Sequence, residues 1–349
     1  LSTRRRTASL VILGALLGSL GLGAAPTASA RSAPAATARS ASDSSARVGA
    51  QQQRDALKFW TPERLVHAVD LDATASTTGR HDPARTPEPR AAHPTSVPAA
   101  QPVGGPARTT AAEKTDTSPR LAASAPQRWT GGGLISTTAG KVFFYNPKNG
   151  GTYACSGDAV NSGNKSVVAT AGHCVVDTDG TAYTNWVFIP GYDHGNRPFG
   201  TFAATSLHWE PQRIGDSDAA WDAAFVTVGT VNGRRLVDTV GGQGIGFDQA
   251  PGQYVRSFGY GGSAAEGGGE QMNWCAGTEV FQGGHAGGGV WGIDCVQTGG
   301  SSGGAFLAGF DTASGGGMQI GNISISVGSY EYHPYYGKEA AGAYNAAGS

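Results

Sequence analysis

The sequence predicts an all-β protein, and three observations carry that reading. Glycine makes up 55 of 349 residues and charged residues only 15%, against usual shares of ~7% and ~25%. Each interior Gly costs a helix up to ~1 kcal/mol, so such a chain disfavours helical bundles and suits short strands joined by tight turns. From residue 141 onward, short β-prone runs alternate with turn residues. All four cysteines, Cys155, Cys174, Cys275 and Cys295, also lie in this part.

Taken in order, residues 142–145 form a first run, closed by the turn sequence Asn146-Pro147-Lys148-Asn149-Gly150-Gly151. Runs at 152–156, 166–170, 186–189, 224–228, 254–258 and 322–327 continue the pattern, whose spacing is that of a sandwich or barrel. Within residues 129–349 only 338–347 reads as a helix. An even cysteine count points to two disulfides, with three connectivities open. A zinc site lacks its signature, since no CxxC occurs and the one adjacent Cys/His pair, His173-Cys174, has no second pair to complete it.

The N-terminal part is a different kind of chain. Net charge is −1 overall, which excludes a general electrostatic attraction to nucleic acid. Residues 1–128 carry 16 Lys and Arg against 9 Asp and Glu, whereas residues 129–349 carry 9 against 17. Arg4-Arg5-Arg6, the apolar stretch from Leu10 to Leu22 and Ala28-Ser29-Ala30 together read as a signal peptide over 1–30. The apolar run is short of the ~20 residues a membrane span needs. Export to the extracellular space is therefore expected.

Residues 31–128 are rich in Ala, Pro, Ser, Thr and Arg, too poor in apolar side chains to offset ordering entropy. They read as a mostly disordered propeptide. One island, 56–71, contains Phe59-Trp60-Thr61-Pro62-Glu63-Arg64-Leu65-Val66 and predicts a short helix near 61–71. Thr61 is its N-cap, Pro62 its first residue, and Trp60 packs on Leu65 as a staple. Leu65, Ala68 and Val69 give it one apolar face. A lone short helix is marginal in water, so it is expected to dock on the oppositely charged downstream domain.

Two segments carry the chemistry. Thr170-Ala171-Gly172-His173-Cys174 follows a strand and holds a histidine beside a cysteine. Gly299-Gly300-Ser301-Ser302-Gly303-Gly304 presents a serine on a glycine turn, where backbone N–H groups can converge on an oxyanion. A hydroxyl needs a base to take its proton, and that base needs a carboxylate to orient it. Asp222 opens the buried run Ala223-Ala224-Phe225-Val226 and is the preferred carboxylate, with Asp218 next. The order His, Asp, Ser matches one of the known triad orders and neither the α/β-hydrolase nor the subtilisin one. His194, His208, His285 and His333 lack such a setting and read as surface or loop histidines, with His285 near a pocket.

The Thr-Ala-Gly-His-Cys and Gly-x-Ser-Gly-Gly segments, with the run 294–304, resemble chymotrypsin-like (trypsin-like, family S1) serine proteases. Within that family they are similar to exported bacterial members related to V8-type glutamyl endopeptidases. The resemblance covers about 135–349. It implies two six-stranded antiparallel β-barrels, about 129–235 and 236–349, with the site between them. It implies His173 as general base, Asp222 as its orienting carboxylate and Ser302 as nucleophile, with the N–H groups of Gly300 and Ser302 as oxyanion donors. It also implies a Cys155–Cys174 disulfide, beside which Cys275 pairs with Cys295.

The resemblance places the pocket floor at Val296, Gln297 and Thr298, with a wall at 324–329 that includes Ser326. Val296 stands where a basic-residue-selecting Asp would be, and no His occurs on the wall strand. A small-to-medium uncharged side chain is therefore expected at the cleaved bond. Ser301 replaces the family's activating Asp, so activation is expected by removal of the propeptide from the cleft. The competing functions are a catalytically silent binding domain and an esterase with the same triad. A monomer acting on protein or peptide substrates is expected, with its own propeptide as partner and no nucleic-acid or membrane partner. No cofactor or metal is required in this reading; Asp177 with Asp179, or Asp216 with Asp218, are weak calcium candidates.

Overall fold

Lys141 and the apolar residues beside it lie in a strand that is buried along almost its whole length. The computed structural model describes residues 44–71, 93–104, 123–215, 217–282 and 289–349. These all fall in the second of two units, Arg39–Ser349; the first, Leu1–Ala38, lies outside the described residues, and with it the expected signal peptide. The elements are, in chain order, β1 (Ser45–Arg47), α1 (Ala50–Phe59), α2 (Pro62–Val66), β2 (Val69–Asp70), β3 (Thr95–Val97), β4 (Ala123–Arg128) and α3 (Ile135–Thr138). Then come β5 (Ala139–Asn146), β6 (Gly151–Val160), β7 (Val167–Ala171), β8 (Thr184–Pro190), β9 (Phe202–Trp209), β10 (Ala223–Val228) and α4 (Leu236–Val240). The last group is β11 (Gly244–Phe247), β12 (Tyr254–Gly259), β13 (Asn273–Thr278), β14 (Val280–Gln282), β15 (Val290–Ile293), β16 (Ala305–Asp311), β17 (Gly316–Asn322), β18 (Ile325–Val327), β19 (Tyr330–Pro334) and α5 (Lys338–Gly348).

The first barrel closes as the sequence predicts. Strands β9, β10, β7, β6, β5 and β8 pair in that order, and β8 pairs back onto β9. The hairpin between β5 and β6 turns where expected: the Asn146 carbonyl accepts from the Gly150 N–H, and Gly150 takes a positive φ of 73°. Strand alternation sends Val142, Phe144, Cys155, Val168, Phe188, Phe202 and Val226 into the barrel interior. The outward residues are buried too. Val167, Ala169, Ala223 and Phe225 lie under α5, which presents Ala340, Ala343, Tyr344 and Ala347. That i, i+3, i+4, i+7 spacing is one helix stripe. Both faces being covered explains why these strands read as continuous apolar runs rather than as alternation.

The second half contains a seven-stranded sheet, β3-β11-β17-β16-β12-β13-β4, and a four-stranded sheet, β14-β15-β19-β18. It differs from a single ring of six ladder-paired strands. Val255, Cys275, Ile293, Cys295, Phe306 and Ile323 fill one core between the two sheets, and the Cys275–Cys295 disulfide ties them.

The described residues before 129 pair with strands of the later part of the chain. Among the described residues, β1 pairs with β9, β2 with β6, β3 with β11 and β4 with β13. Each finds hydrogen-bond partners in a sheet that already has its own core, so little apolar surface of its own is needed. The expected helix is shorter, Pro62–Val66, and is preceded by the unforeseen α1. Thr61 does cap it, accepting from the Arg64 N–H at 3.3 Å, and Trp60 and Leu65 share one buried cluster. Val69 is exposed rather than on the apolar face, because the chain has left the helix for β2. Among the described residues no helix is long and apolar enough to cross a membrane.

Candidate active site

β7 ends at Ala171, and the chain turns at once into a single 3-10 turn, Gly172–Cys174, which holds His173. The Cys155–Cys174 disulfide anchors that turn to β6. Gly172 packs closely there: a Cβ would approach Asp222 Oδ1 to 3.0 Å. Asp222 sits between a 3-10 turn and β10 and is almost fully buried. Its Oδ1 accepts the His173 backbone N–H at 2.8 Å, and its Oδ2 lies 2.7 Å from His173 Nδ1. Ser324 Oγ donates to the same Oδ2 at 2.7 Å, and Arg213 Nη1 is 3.4 Å from Oδ1. Burial alone would raise this carboxyl. The His173 and Arg213 charges and the hydrogen bonds from His173 and Ser324 outweigh it and hold it at about 2.

Because Nδ1 faces an ionised carboxylate, the network assigns it the proton and leaves Nε2 as an acceptor. Nε2 is buried and has no hydrogen-bond partner. Ser302 lies on the adjoining loop, its carbonyl oxygen 3.8 Å from Cys174 Sγ, yet no hydrogen bond joins its Oγ to Nε2. The histidine and the aspartate are thus brought into contact, and the serine is brought alongside them.

The serine loop is held by groups that the sequence does not advertise. Ser156 N–H donates to the Ser302 carbonyl at 2.7 Å, and Ser156 Oγ donates to the Gly300 carbonyl at 2.8 Å. Gly303 N–H donates to the Ile323 carbonyl. Gly303 has φ +86°, and a Cβ there would lie 2.2 Å from Thr170 Oγ1. Ser301, in the place of an activating Asp, donates its hydroxyl to the Thr298 carbonyl at 2.7 Å. Ser156, Arg213 and Asn322, whose Nδ2 donates to the Asp222 carbonyl at 3.1 Å, were not singled out from sequence, and Ser324 was expected only as the start of a pocket wall. Only Ser156, next to Cys155, had any local signal.

Two solved structures are 34% identical to this chain: protease Anisep from Arthrobacter nicotinovorans, and the thermostable serine protease AL20 from an extremophilic microorganism. The first matches with a TM-score of 0.57 over 64% of this chain and 99% of its own, the second with 0.56 over 62% and 98%. The chain belongs to the chymotrypsin-like serine proteases. A Glu endopeptidase at 16% identity and TM-score 0.50, covering 64% of this chain and 95% of its own, shares the fold. No protein-family model and no curated protein sequence matches.

In this serine protease the segment expected to floor the pocket rests on two buried carboxylates. Gln297 is buried, and its N–H donates to Glu331 Oε2 at 3.0 Å. Ser257 Oγ donates to Glu331 Oε1, and Gln297 Nε2 to Ser257 Oγ at 3.2 Å. The exposed Thr298 donates through its N–H and hydroxyl to buried Glu266. Val296 is half-buried, and Ser326 lies opposite Glu331 in the β18–β19 ladder. Burial raises the Glu331 carboxyl to about 7.

The other sequence candidates fall elsewhere. Asp218 caps the turn before Asp222, accepting the Ala220 N–H. His333 is corrected from a surface residue to a buried one. Its Nε2 is 2.7 Å from Glu279 Oε1 and its Nδ1 2.8 Å from the Pro334 carbonyl, because β19 is an inner strand of its sheet. His208 is half-buried in β9, His194 lies in an exposed turn, and His285 and Asp216 are outside the described residues. Asp177 and Asp179 are 2.9 and 3.0 Å from Lys148 Nζ, an ammonium where a calcium ion was weighed. Cys155, His173 and Cys174 bring ligand-type atoms within 4.8 Å, but the two sulfurs are bonded to each other and do not ligate.

Proposed function

We propose that the chain is a secreted serine endopeptidase, made as a precursor, that cleaves peptide bonds through an acyl-enzyme on Ser302. His173 Nε2 takes the Ser302 hydroxyl proton as Oγ attacks the scissile carbonyl. The negative oxygen is received by the N–H groups of Gly300 and Ser302; one such donor is worth about 10²–10³ in rate. The imidazolium that forms is stabilised by Asp222, whose charge Ser324 and Arg213 keep in place. His173 then gives its proton to the leaving amine. Water, deprotonated by the same Nε2, hydrolyses the ester. General base action of this kind contributes about 10²–10⁴.

The observation that carries the reading is the buried His173 Nδ1 to Asp222 Oδ2 contact of 2.7 Å, which turns Nδ1 to the carboxylate and leaves Nε2 without a hydrogen-bond partner beside the serine loop. The test is a fluorophosphonate probe on the processed, secreted protein, alongside Ser302→Ala, read by intact mass. One adduct on the parent and none on the variant is the expected result. No adduct on processed, disulfide-intact protein overturns the proposal. Digestion of a peptide library beside a p-nitrophenyl ester assay separates an endopeptidase from an esterase.

A further inference from the structure

The Gly300 N–H, one of the two oxyanion donors, is already taken. It donates at 2.9 Å to the carbonyl of Leu71, a residue of the N-terminal segment. Leu71 arrives there on β2, which runs parallel to β6, and its own N–H donates to the Ala154 carbonyl at 2.9 Å. Asp70, next to it, lies in a cradle that only glycines permit. A Cβ at Gly262 would come within 2.4 Å of Asp70 Oδ2, and Cβ atoms at Gly269 and Gly300 within 2.9 Å of its carboxylate oxygens. Lys141 Nζ is 3.2 Å from Asp70 Oδ1. That ammonium is nearly buried, over the rings of Phe143 and Tyr192 at 5.4 and 5.5 Å, so losing its counter-charge would be costly.

The same segment is anchored upstream. Trp60 and Leu65 are buried against Phe143, Val187, Ile189 and Tyr260. Trp60 Nε1 donates to the Asn185 carbonyl at 2.6 Å, and β1 extends the barrel at β9. An aromatic anchor, a paired strand and a charged pin thus converge on one catalytic donor.

We propose that residues 45–71 are a built-in inhibitor, with Leu71 capping the oxyanion donor Gly300 and Asp70 locked on Lys141, and that the protease is silent until this segment leaves. The proposal rests on the serine protease reading and names the regulation of that site.

The experiment measures fluorophosphonate labelling rates on full-length unprocessed precursor, on precursor carrying Asp70→Lys, and on processed enzyme, each verified by intact mass. Unprocessed parent should label at least about tenfold more slowly than processed enzyme, equivalent to about 1.4 kcal/mol. Asp70→Lys sets like charges on Lys141 and should bring the unprocessed rate close to the processed one. In a second arm, which does not depend on the variant folding, a synthetic 45–71 peptide at roughly micromolar to 100 μM should slow labelling of processed enzyme. The same peptide with Asp70→Lys should not. Unprocessed parent that labels as fast as processed enzyme, or a peptide without effect across that range, overturns the inhibitor. Processed enzyme that never labels overturns the serine protease reading instead.

Discussion

Asp222→Asn is the substitution that tests the arrangement most directly. The carboxylate accepts three hydrogen bonds, from the His173 N–H, His173 Nδ1–H and Ser324 Oγ–H, with Arg213 beside it. An amide has one acceptor oxygen. Placed to keep the His173 backbone bond, it turns its NH2 toward Nδ1 and Ser324. Nδ1 must then accept, the ring proton moves to Nε2, and Nε2 can no longer take the serine proton. Loss of the general base is worth about 10²–10⁴. Loss of one charged hydrogen bond to the imidazolium adds about 1.5–3 kcal/mol to the barrier. Because the two losses overlap, a fall in kcat of about 10³–10⁴, or about 4–5.5 kcal/mol, is expected. The assay is kcat and KM on a peptide substrate across pH, with Asp218→Asn as comparison and the disulfides verified by mass. KM should change little, and Asp218→Asn should stay within about threefold. An Asp222→Asn enzyme within tenfold of the parent would refute the reasoning.

Other expectations follow from the same geometry. Asp158 and Glu331 are fully buried carboxyls raised by desolvation to about 8 and about 7. The folded state holds protons that the unfolded chain releases above pH ~4, so stability should fall as pH rises from about 4 to 8. Asp158→Asn and Glu331→Gln should each flatten that slope in urea midpoints at pH 5 and 8; a parent with no slope would contradict this. Gly303→Ala combines φ +86° with a Cβ contact of 2.2 Å and should cost roughly 2–4 kcal/mol, read as a lowered denaturation midpoint together with lost probe labelling. Replacing Cys275 and Cys295 by Ser opens a crosslink of sequence separation 20 and should cost about 3 kcal/mol. An unchanged thermal midpoint would show that the two sheets hold without it. Ser324→Ala should lower kcat about 3- to 30-fold with KM unchanged, since it removes one of the hydrogen bonds that hold the Asp222 charge; an unchanged kcat would assign Ser324 to packing alone.

The all-β class was legible because Gly content, run length and turn residues are local properties. So were the hairpin at 146–151, the Thr61 cap and the C-terminal helix: each depends on residues a few positions apart. Flanking residues and chain order also sufficed to single out His173, Asp222 and Ser302. The partners of Asp222 were not legible. Ser324 and Arg213 carry no local mark that separates them from Ser326 or Arg197, and only barrel packing brings them within hydrogen-bond range. The contacts of the described N-terminal residues were not legible for a related reason. Their composition cannot support a core of its own, and composition does not record that β1 and β2 extend a sheet already formed, or that Phe143, Val187 and Ile189 leave room for Trp60. Local chemistry therefore marked the class, the caps and the candidate reactive residues. Tertiary structure alone decided which groups orient the aspartate and which carbonyl meets the Gly300 N–H, because the His173, Ser324 and Leu71 contacts join residues 49 to 229 positions apart and depend on where the strands lie in space.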